Sequence, residues 1–248
     1  MESTRSQEAA AGGNGKRDYV RSVFQQIAPS YDLLNHLLSF NIDRRWRRRA
    51  IATLAWPSRA SGTYLDLCAG TMDVSAALSG MRGFDGRVVA VDFAEAMLRA
   101  GQHKSARRPI APVVGDALSL PLPDESISGA IVAFGARNFA DLDRGLREVF
   151  RVLQPGARLV ILEFATPSSW IVRMLYHAYF HRVLPLIGGA ISGHRTAYRY
   201  LPTSVEHFPK EAELSRRLAA AGFAEIAVER LSLGIAAIHG AIRPGRDA

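Results

Sequence analysis

The chain has 248 residues, 48% of them hydrophobic, and a formal charge of +8, which suits one large α/β domain drawn to an anionic surface, whether nucleic acid or membrane headgroups. A single cysteine, Cys68, excludes an internal disulfide framework and fits a reduced thiol, and no run approaches about 18 uninterrupted apolar residues, which excludes a helical bilayer span. The expected location is cytoplasmic and at most peripheral to a membrane, with an organellar compartment left open.

Residues 1–15 are rich in Ala, Gly, Ser, Glu and Asn and read as a disordered tail, leaving 16–248 as a single domain. Within it the patterns divide into an N-terminal helical cap (16–56), a nucleotide-binding core (57–166), a helical lid insertion (167–209) and a C-terminal helix and hairpin (210–248). Val20, Val23, Phe24 and Ile27 recur at helical spacing over 17–28, and Pro29 stops that helix. A short helix over 30–39 sets Tyr31, Asp32 and Asn35 on one side, where they either look into a pocket or form a polar outer face. The helix over 42–51 buries Ile42, Trp46 and Ala50, and its arginines, Arg44 to Arg49, cover the remaining surface. That run is either a solvated face or an attraction for anionic headgroups; without interleaved stacking aromatics, nucleic acid is not expected.

From Thr63 the chain alternates strands (63–67, 87–92, 111–115, 127–134) with helices (73–80, 94–104), the signature of a parallel sheet. The first strand turns through Cys68-Ala69-Gly70-Thr71-Met72-Asp73, where small residues permit close backbone approach and Asp73 is placed to cap the next helix. This is not the Gly-x-Gly-x-x-Gly that a pyrophosphate requires. Asp66 and Asp73 instead put negative charge beside the turn, which suits a ligand with a sulfonium and an ammonium, as in S-adenosylmethionine. Asp92 ends the second strand, where a carboxylate can hold a ribose diol, and Asp116 follows the third, where it can accept an adenine amine.

The fourth strand leads into Arg137 and Asn138, the catalytic candidates, at the carboxyl edge where the reactive part of a ligand belongs. A helix over 141–152 closes at Gln154-Pro155-Gly156 before a strand over 157–164, with Glu163 near its end. The apolar helical stretch 169–191, broken at Pro185 and Gly188-Gly189, reads as an inserted lid. Its His177 and His181 lack a third ligand nearby and read as packing, so no metal is expected. A helix over 210–221 and strands over 224–230 and 233–242 finish the chain as an antiparallel hairpin.

In Tyr31-Asp32-x-x-Asn35-x-x-x-Ser39, Trp46, the turn at 66–73, Gly135-x-Arg137-Asn138, Arg151-Val152-Leu153-x-Pro155-Gly156 and Tyr198-x-Tyr200-Leu201-Pro202-x-Ser204, the chain resembles the ubiquinone/menaquinone biosynthesis C-methyltransferase family. The likeness covers roughly residues 18 to 244. It implies the class I S-adenosylmethionine-dependent methyltransferase fold, α/β, with a seven-stranded mostly parallel sheet whose last strand is antiparallel. The expected cofactor contacts are Tyr31, Asp66, Gly70, Thr71, Asp92 and Phe93, with Asp116, Ala117 and Phe134. The chain departs from the family at Met72, where glycine is usual, at Asp43, commonly histidine, and at Ala133, Ala136 and Ala157, usually serine, leucine and glycine; Met72 is the serious one. Met72 is expected to crowd the methionine portion of the cofactor or to shift the turn.

The resemblance implies methylation of a ring carbon of a polyprenylated quinol, with demethylmenaquinol as the first expectation. A benzoquinol of ubiquinone biosynthesis and a non-catalytic, partner-binding member of the family are the alternatives. Arg137 would favour the phenolate form of the ring and Asn138 would orient its hydroxyl or a water. A homodimer is compatible with these features.

Overall fold

The computed structural model describes residues 15–179 and 195–245. The tail expected at 1–15, apart from Gly15, and the second half of the lid, with His181, Pro185 and Gly188-Gly189, lie outside the described residues. Three helices open the chain: α1 (Lys16–Ile27), α2 (Tyr31–Leu38) and α3 (Ile42–Thr53). A seven-stranded sheet follows, β1 (Thr63–Leu67), β2 (Arg87–Asp92), β3 (Ile110–Val114), β4 (Ile127–Ala133), β5 (Leu153–Phe164), β6 (Ala224–Leu231) and β7 (Ala236–Ile242). It is interleaved with α4 (Asp73–Ser79), α5 (Glu95–Ala100), α6 (Gln102–Ser105), α7 (Leu142–Val152), α8 (Trp170–Ala178), α9 (Arg195–His207) and α10 (Glu211–Ala220).

The strand order is β3-β2-β1-β4-β5-β7-β6. β1 to β5 run parallel, and β7 is inserted antiparallel between β5 and β6. The inner strands read as continuous apolar runs because both faces of the sheet are covered. On one face Leu65, Leu67, Val89 and Val91 join the core under α7 and α10 through Leu146, Leu214 and Leu218. On the other, Tyr64, Val88 and Ala90 join Trp46, Ile51 and Leu78 of α3 and α4. Alternate residues of one strand thus feed opposite cores.

Three boundaries differ from the sequence expectation. The helix expected over 94–104 breaks at Gly101, whose added Cβ would lie 2.2 Å from the Thr71 carbonyl oxygen. The helix cannot pass that close to the turn after β1 with a side chain in the way. β5 begins at Leu153, which pairs with Ile127, so α7 runs straight into the strand with no separating turn. The final hairpin turns through Ser232–Gly234, and β7 starts only at Ala236. Among the described residues no helix is long and apolar enough to cross a membrane.

Candidate active site

Beyond β1 the chain takes three left-handed residues in alternation, Cys68 (φ 57), Gly70 (φ 54) and Met72 (φ 64). This zigzag lets Ala69 N–H reach Val91 O at 3.1 Å and Gly70 N–H reach Asp92 Oδ2 at 2.8 Å, so the turn is fastened to the end of β2. At Gly70 a side chain would meet Met97 Cε at 3.3 Å and Tyr31 Cε1 at 3.7 Å, so the ledge stays narrow and open only to a close-lying ligand. The Met72 side chain contradicts the expectation that it would crowd the cofactor. It is fully buried in the core that holds Trp46, Val74 and Leu78. Glycine suits that backbone angle, and here a methionine adopts it because its side chain fills the core behind the turn.

Asp92 accepts from Gly70 N–H through one oxygen and from Ala94 N–H through the other, both at 2.8 Å. Burial pushes its carboxyl up to about 6, against the pull of those amides. Two small clefts flank it, of about 30 and 20 Å³. The first is lined by Asp92, Phe93, Asp116 and Ala117, with Cys68 beside them. The second is lined by Tyr31, Gly70, Asp92, Phe93 and Phe134. Seven of the nine expected cofactor contacts therefore meet around one carboxylate. The thiol of Cys68 sits against Gly135, and burial raises it far above its ordinary range, as suits a packing role.

The other two are placed differently. Asp66 lines neither cleft; one of its oxygens accepts from both the N–H and the hydroxyl of Ser75, at 2.9 and 2.6 Å. It fixes the first turns of α4, and burial pushes its carboxyl up to about 7 against the pull of the Ser75 hydrogen bonds. Thr71 is buried, donates to Asp32 and accepts from Lys104 Nζ at 3.2 Å. Lys104 also meets Asp32 at 2.5 Å and Asp73 at 2.6 Å. Asp73 is therefore no N-cap: the cap position is Met72, and the Asp73 carboxylate bridges Lys104 and Arg47. Those cations hold it below the usual carboxylate range although burial opposes the charge.

Asp116 accepts from its own Leu118 N–H at 3.0 Å and pairs with Arg17 Nε at 3.2 Å. α1 thus reaches the first cleft, which Arg17 lines together with Asp116. The clefts are small, and at the edge of the first the Asp116 carboxylate is taken up by Arg17. The ledge at Gly70, the buried Asp92 and the strand-end Asp116 are otherwise the groups a ribose and an adenine amine require.

Arg137 and Asn138, adjacent in sequence, serve different spaces. Asn138 lines both clefts and accepts from the Tyr200 hydroxyl at 3.2 Å. Arg137 lines a larger cavity of about 440 Å³ between the cap, α8 and the sheet edge. It is 8% exposed and ion-paired through Nη1 to Glu163 Oε2 at 2.9 Å, while Nη1 also donates to Phe134 O. Burial opposes its charge, yet Glu163 raises its pKa above the ordinary value. Its Nε is buried with no hydrogen-bond partner among the described residues. Lys16, from α1, donates to Arg137 O at 2.9 Å, and burial lowers its pKa to about 8.

The cavity is mostly apolar, and its floor is a stack of rings. Phe134 and Phe164 lie 4.8 Å apart between centroids, with Trp46 within 6.2 Å of each. Phe24, Tyr31 and Phe134 line both this cavity and the second cleft, so they form the wall across which the two spaces communicate. The arginine run does not cover only outer surface: Arg47 is buried and reaches Asp43 and Asp73, and Arg49 pairs with Glu229. The i, i+4 spacing of Asp43 and Arg47 was the signal for this pair; Lys104 and Glu163 depend on tertiary contacts that no spacing announces. Asp32 faces Thr71 as expected of a cap residue, whereas the Asn35 side chain lies outside the described set.

The profile of the ubiE/COQ5 methyltransferase family matches residues 13–243. The chain is 47% identical over 224 residues to a demethylmenaquinone methyltransferase of Thermus thermophilus, covering 90% of this chain and 100% of that one. It is 42% identical over 228 residues to a ubiquinone/menaquinone biosynthesis C-methyltransferase of Geobacter sulfurreducens, covering 90% and 88%. Among solved structures, a SAM-dependent methyltransferase from Thermotoga maritima superposes with a TM-score of 0.60 at 17% identity, covering 90% of this chain and 98% of that one. At that identity the likeness is one of fold.

Proposed function

The chain belongs to the ubiE/COQ5 methyltransferase family, and from that premise we propose that it methylates a ring carbon of demethylmenaquinol, a polyprenylated naphthoquinol, in the large cavity beside Arg137. It is a methyltransferase of the class I fold and its cofactor is S-adenosylmethionine. The observation that carries the substrate reading is an aromatic-floored apolar cavity with a buried guanidinium, sharing a wall with the clefts at Asp92. Asp92 would hold the ribose, Asp116 the adenine amine once Arg17 leaves it, and the Gly70 ledge the chain between ribose and sulfur. When bound, S-adenosylmethionine supplies the methyl group as an electrophile.

A quinol carbon attacks poorly while the neighbouring hydroxyl keeps its proton, and a phenol with a pKa of about 10 is mostly protonated at neutral pH. Arg137 would stabilise the phenolate, its planar fork held in place by Glu163 and Phe134 O. In that dry setting a fixed cation acts strongly, and its own proton stays on. The aromatic floor would orient the ring by stacking, and Tyr31 and Phe134 would set the line along which the new carbon–carbon bond forms. The transfer would leave S-adenosylhomocysteine as the thioether product, and the accepting carbon would then give up its hydrogen as a proton to water, restoring the aromatic ring. Asn138, on the cleft side, would position the cofactor and not the ring oxygen.

The prenyl chain has an exit. Phe40, Leu175 and Leu233 line the cavity yet are 75%, 61% and 76% exposed, and Trp170 and Met174 stand beside Leu175 on α8. This apolar rim, with Arg44, Arg45 and Arg48 exposed on α3, would rest against an anionic bilayer from which the substrate is drawn. The test is product analysis with S-adenosylmethionine and short-chain demethylmenaquinol or demethylated benzoquinol in parallel. A methyl on the naphthoquinol ring carbon is expected; faster methylation of the benzoquinol would shift the substrate, and O-methylation would overturn the chemistry.

A further inference from the structure

A para-quinol carries two ring oxygens, and Arg137 accounts for one. Among the described residues lining the cavity, the second guanidinium is Arg47 and the one carboxylate is Asp43. They sit four apart on the inward face of α3, 9% and 4% exposed. The Asp43 carboxylate is held from three sides, by Ser39 Oγ at 2.6 Å, His36 Nδ1 at 3.0 Å and Arg47 Nη1 at 2.5 Å. Arg47 Nη1 also meets Asp73 Oδ2 at 2.9 Å, so one nitrogen carries both ion pairs. Nε and Nη2 have no hydrogen-bond partner among the described residues, on a side chain that lines the cavity.

Arg47 Cζ lies 5.8 Å from the centroid of Phe134, and Arg137 Cζ lies 5.8 Å from the centroid of Phe164. Those two rings make the floor together with Trp46. A guanidinium therefore stands beside each of two floor rings, and Nε and Nη2 of Arg47 and Nε of Arg137 are donors without a partner among the described residues. Resting on the quinol reading above, we propose that Arg47 is a substrate-binding residue that donates to the ring oxygen across from the one held at Arg137. Asp43, anchored by His36 and Ser39, fixes the plane of the Arg47 fork. Held at two points, the ring cannot turn on the floor, and its accepting carbon stays facing the wall at Tyr31. The cavity then prefers a ring with two para oxygens over a monophenol.

The experiment compares a short-chain demethylated naphthoquinol with 3-prenyl-1-naphthol, which keeps the hydroxyl beside the accepting carbon and lacks the one across the ring. Both kcat/KM and dissociation constant are measured for wild type, Arg47→Met and Arg47→Lys. Arg47→Lys keeps a cation between Asp43 and Asp73 and so preserves the fold should Arg47→Met lose it; thermal unfolding and cofactor titration check this. The preference of wild type for the quinol should fall by about 10-fold or more in either folded variant, the scale of one hydrogen bond to a charged group. The intrinsic reactivity difference between the two compounds cancels in that ratio. A loss that is equal for both compounds would make Arg47 purely structural and overturn the proposal. If wild type methylates and binds neither compound, the quinol reading itself falls, and this inference with it.

Discussion

Asp92 accepts two backbone amides, faces both clefts and titrates near 6 because burial disfavours its charge. Ribose hydroxyls donate to the charged form, so binding lowers this raised pKa, and cofactor affinity should be full above about 6 and fall as the pH drops through it. Calorimetric titration between pH 5 and 8 checks this; Asp92→Asn should bind more weakly at pH 8 and lose the pH dependence. Met72 is a case in which sequence pattern misled, because a departure from glycine says nothing of where the new side chain goes. The backbone is left-handed at φ 64, yet the side chain is in the core. Met72→Gly relieves about 1–2 kcal/mol of backbone strain and forfeits a buried side chain worth about 2–5 kcal/mol. Denaturant unfolding should show a less stable protein, with cofactor affinity unchanged once folded.

The strands and the helices behind them were legible because each carries its own period: apolar runs for β1, β2 and β4, helical spacing for α1, α3 and α7. What was not legible depends on contacts between elements. Gly101 breaks a helix only because the Thr71 backbone passes 2.2 Å from where its Cβ would be. Asp66, Asp73, Asp92 and Asp116 were read as acids around one ligand, yet Asp92 and Asp116 line the clefts while Asp66 holds Ser75 and Asp73 joins Lys104 and Arg47 in the seam under the cap. α1 touches both sides of the site, since Arg17 sits on Asp116 and Lys16 on Arg137 O. An exposed pair contributes at most about 1 kcal/mol. Arg17→Ala should therefore tighten cofactor binding by no more than about 5-fold, and less in high salt. Weaker binding in titrations of the variant would instead make Arg17 a cofactor contact.

At the scale of the whole molecule, two compartments share the wall of Phe24, Tyr31 and Phe134, and the larger one opens at an apolar rim. Phe40→Asp with Leu233→Asp should lower sedimentation with anionic vesicles at both low and high salt. Replacing Arg44, Arg45 and Arg48 by Gln should lower it chiefly at low salt, by about 1 kcal/mol for each charge. Full vesicle binding by both variants would assign the rim another role. The division of labour between the compartments is tested most directly by single-turnover methyl transfer to short-chain demethylmenaquinol, measured beside cofactor titration. Two variants serve: Arg137→Lys, and Arg137→Met combined with Glu163→Gln, which leaves no buried carboxylate without a partner. Cofactor affinity should stay within about 3-fold, while transfer in the double variant falls by at least about 100-fold and partly recovers as rising pH ionises the quinol unaided. Transfer and cofactor affinity falling together, or transfer unchanged, would contradict the placement of the quinol oxygen at Arg137.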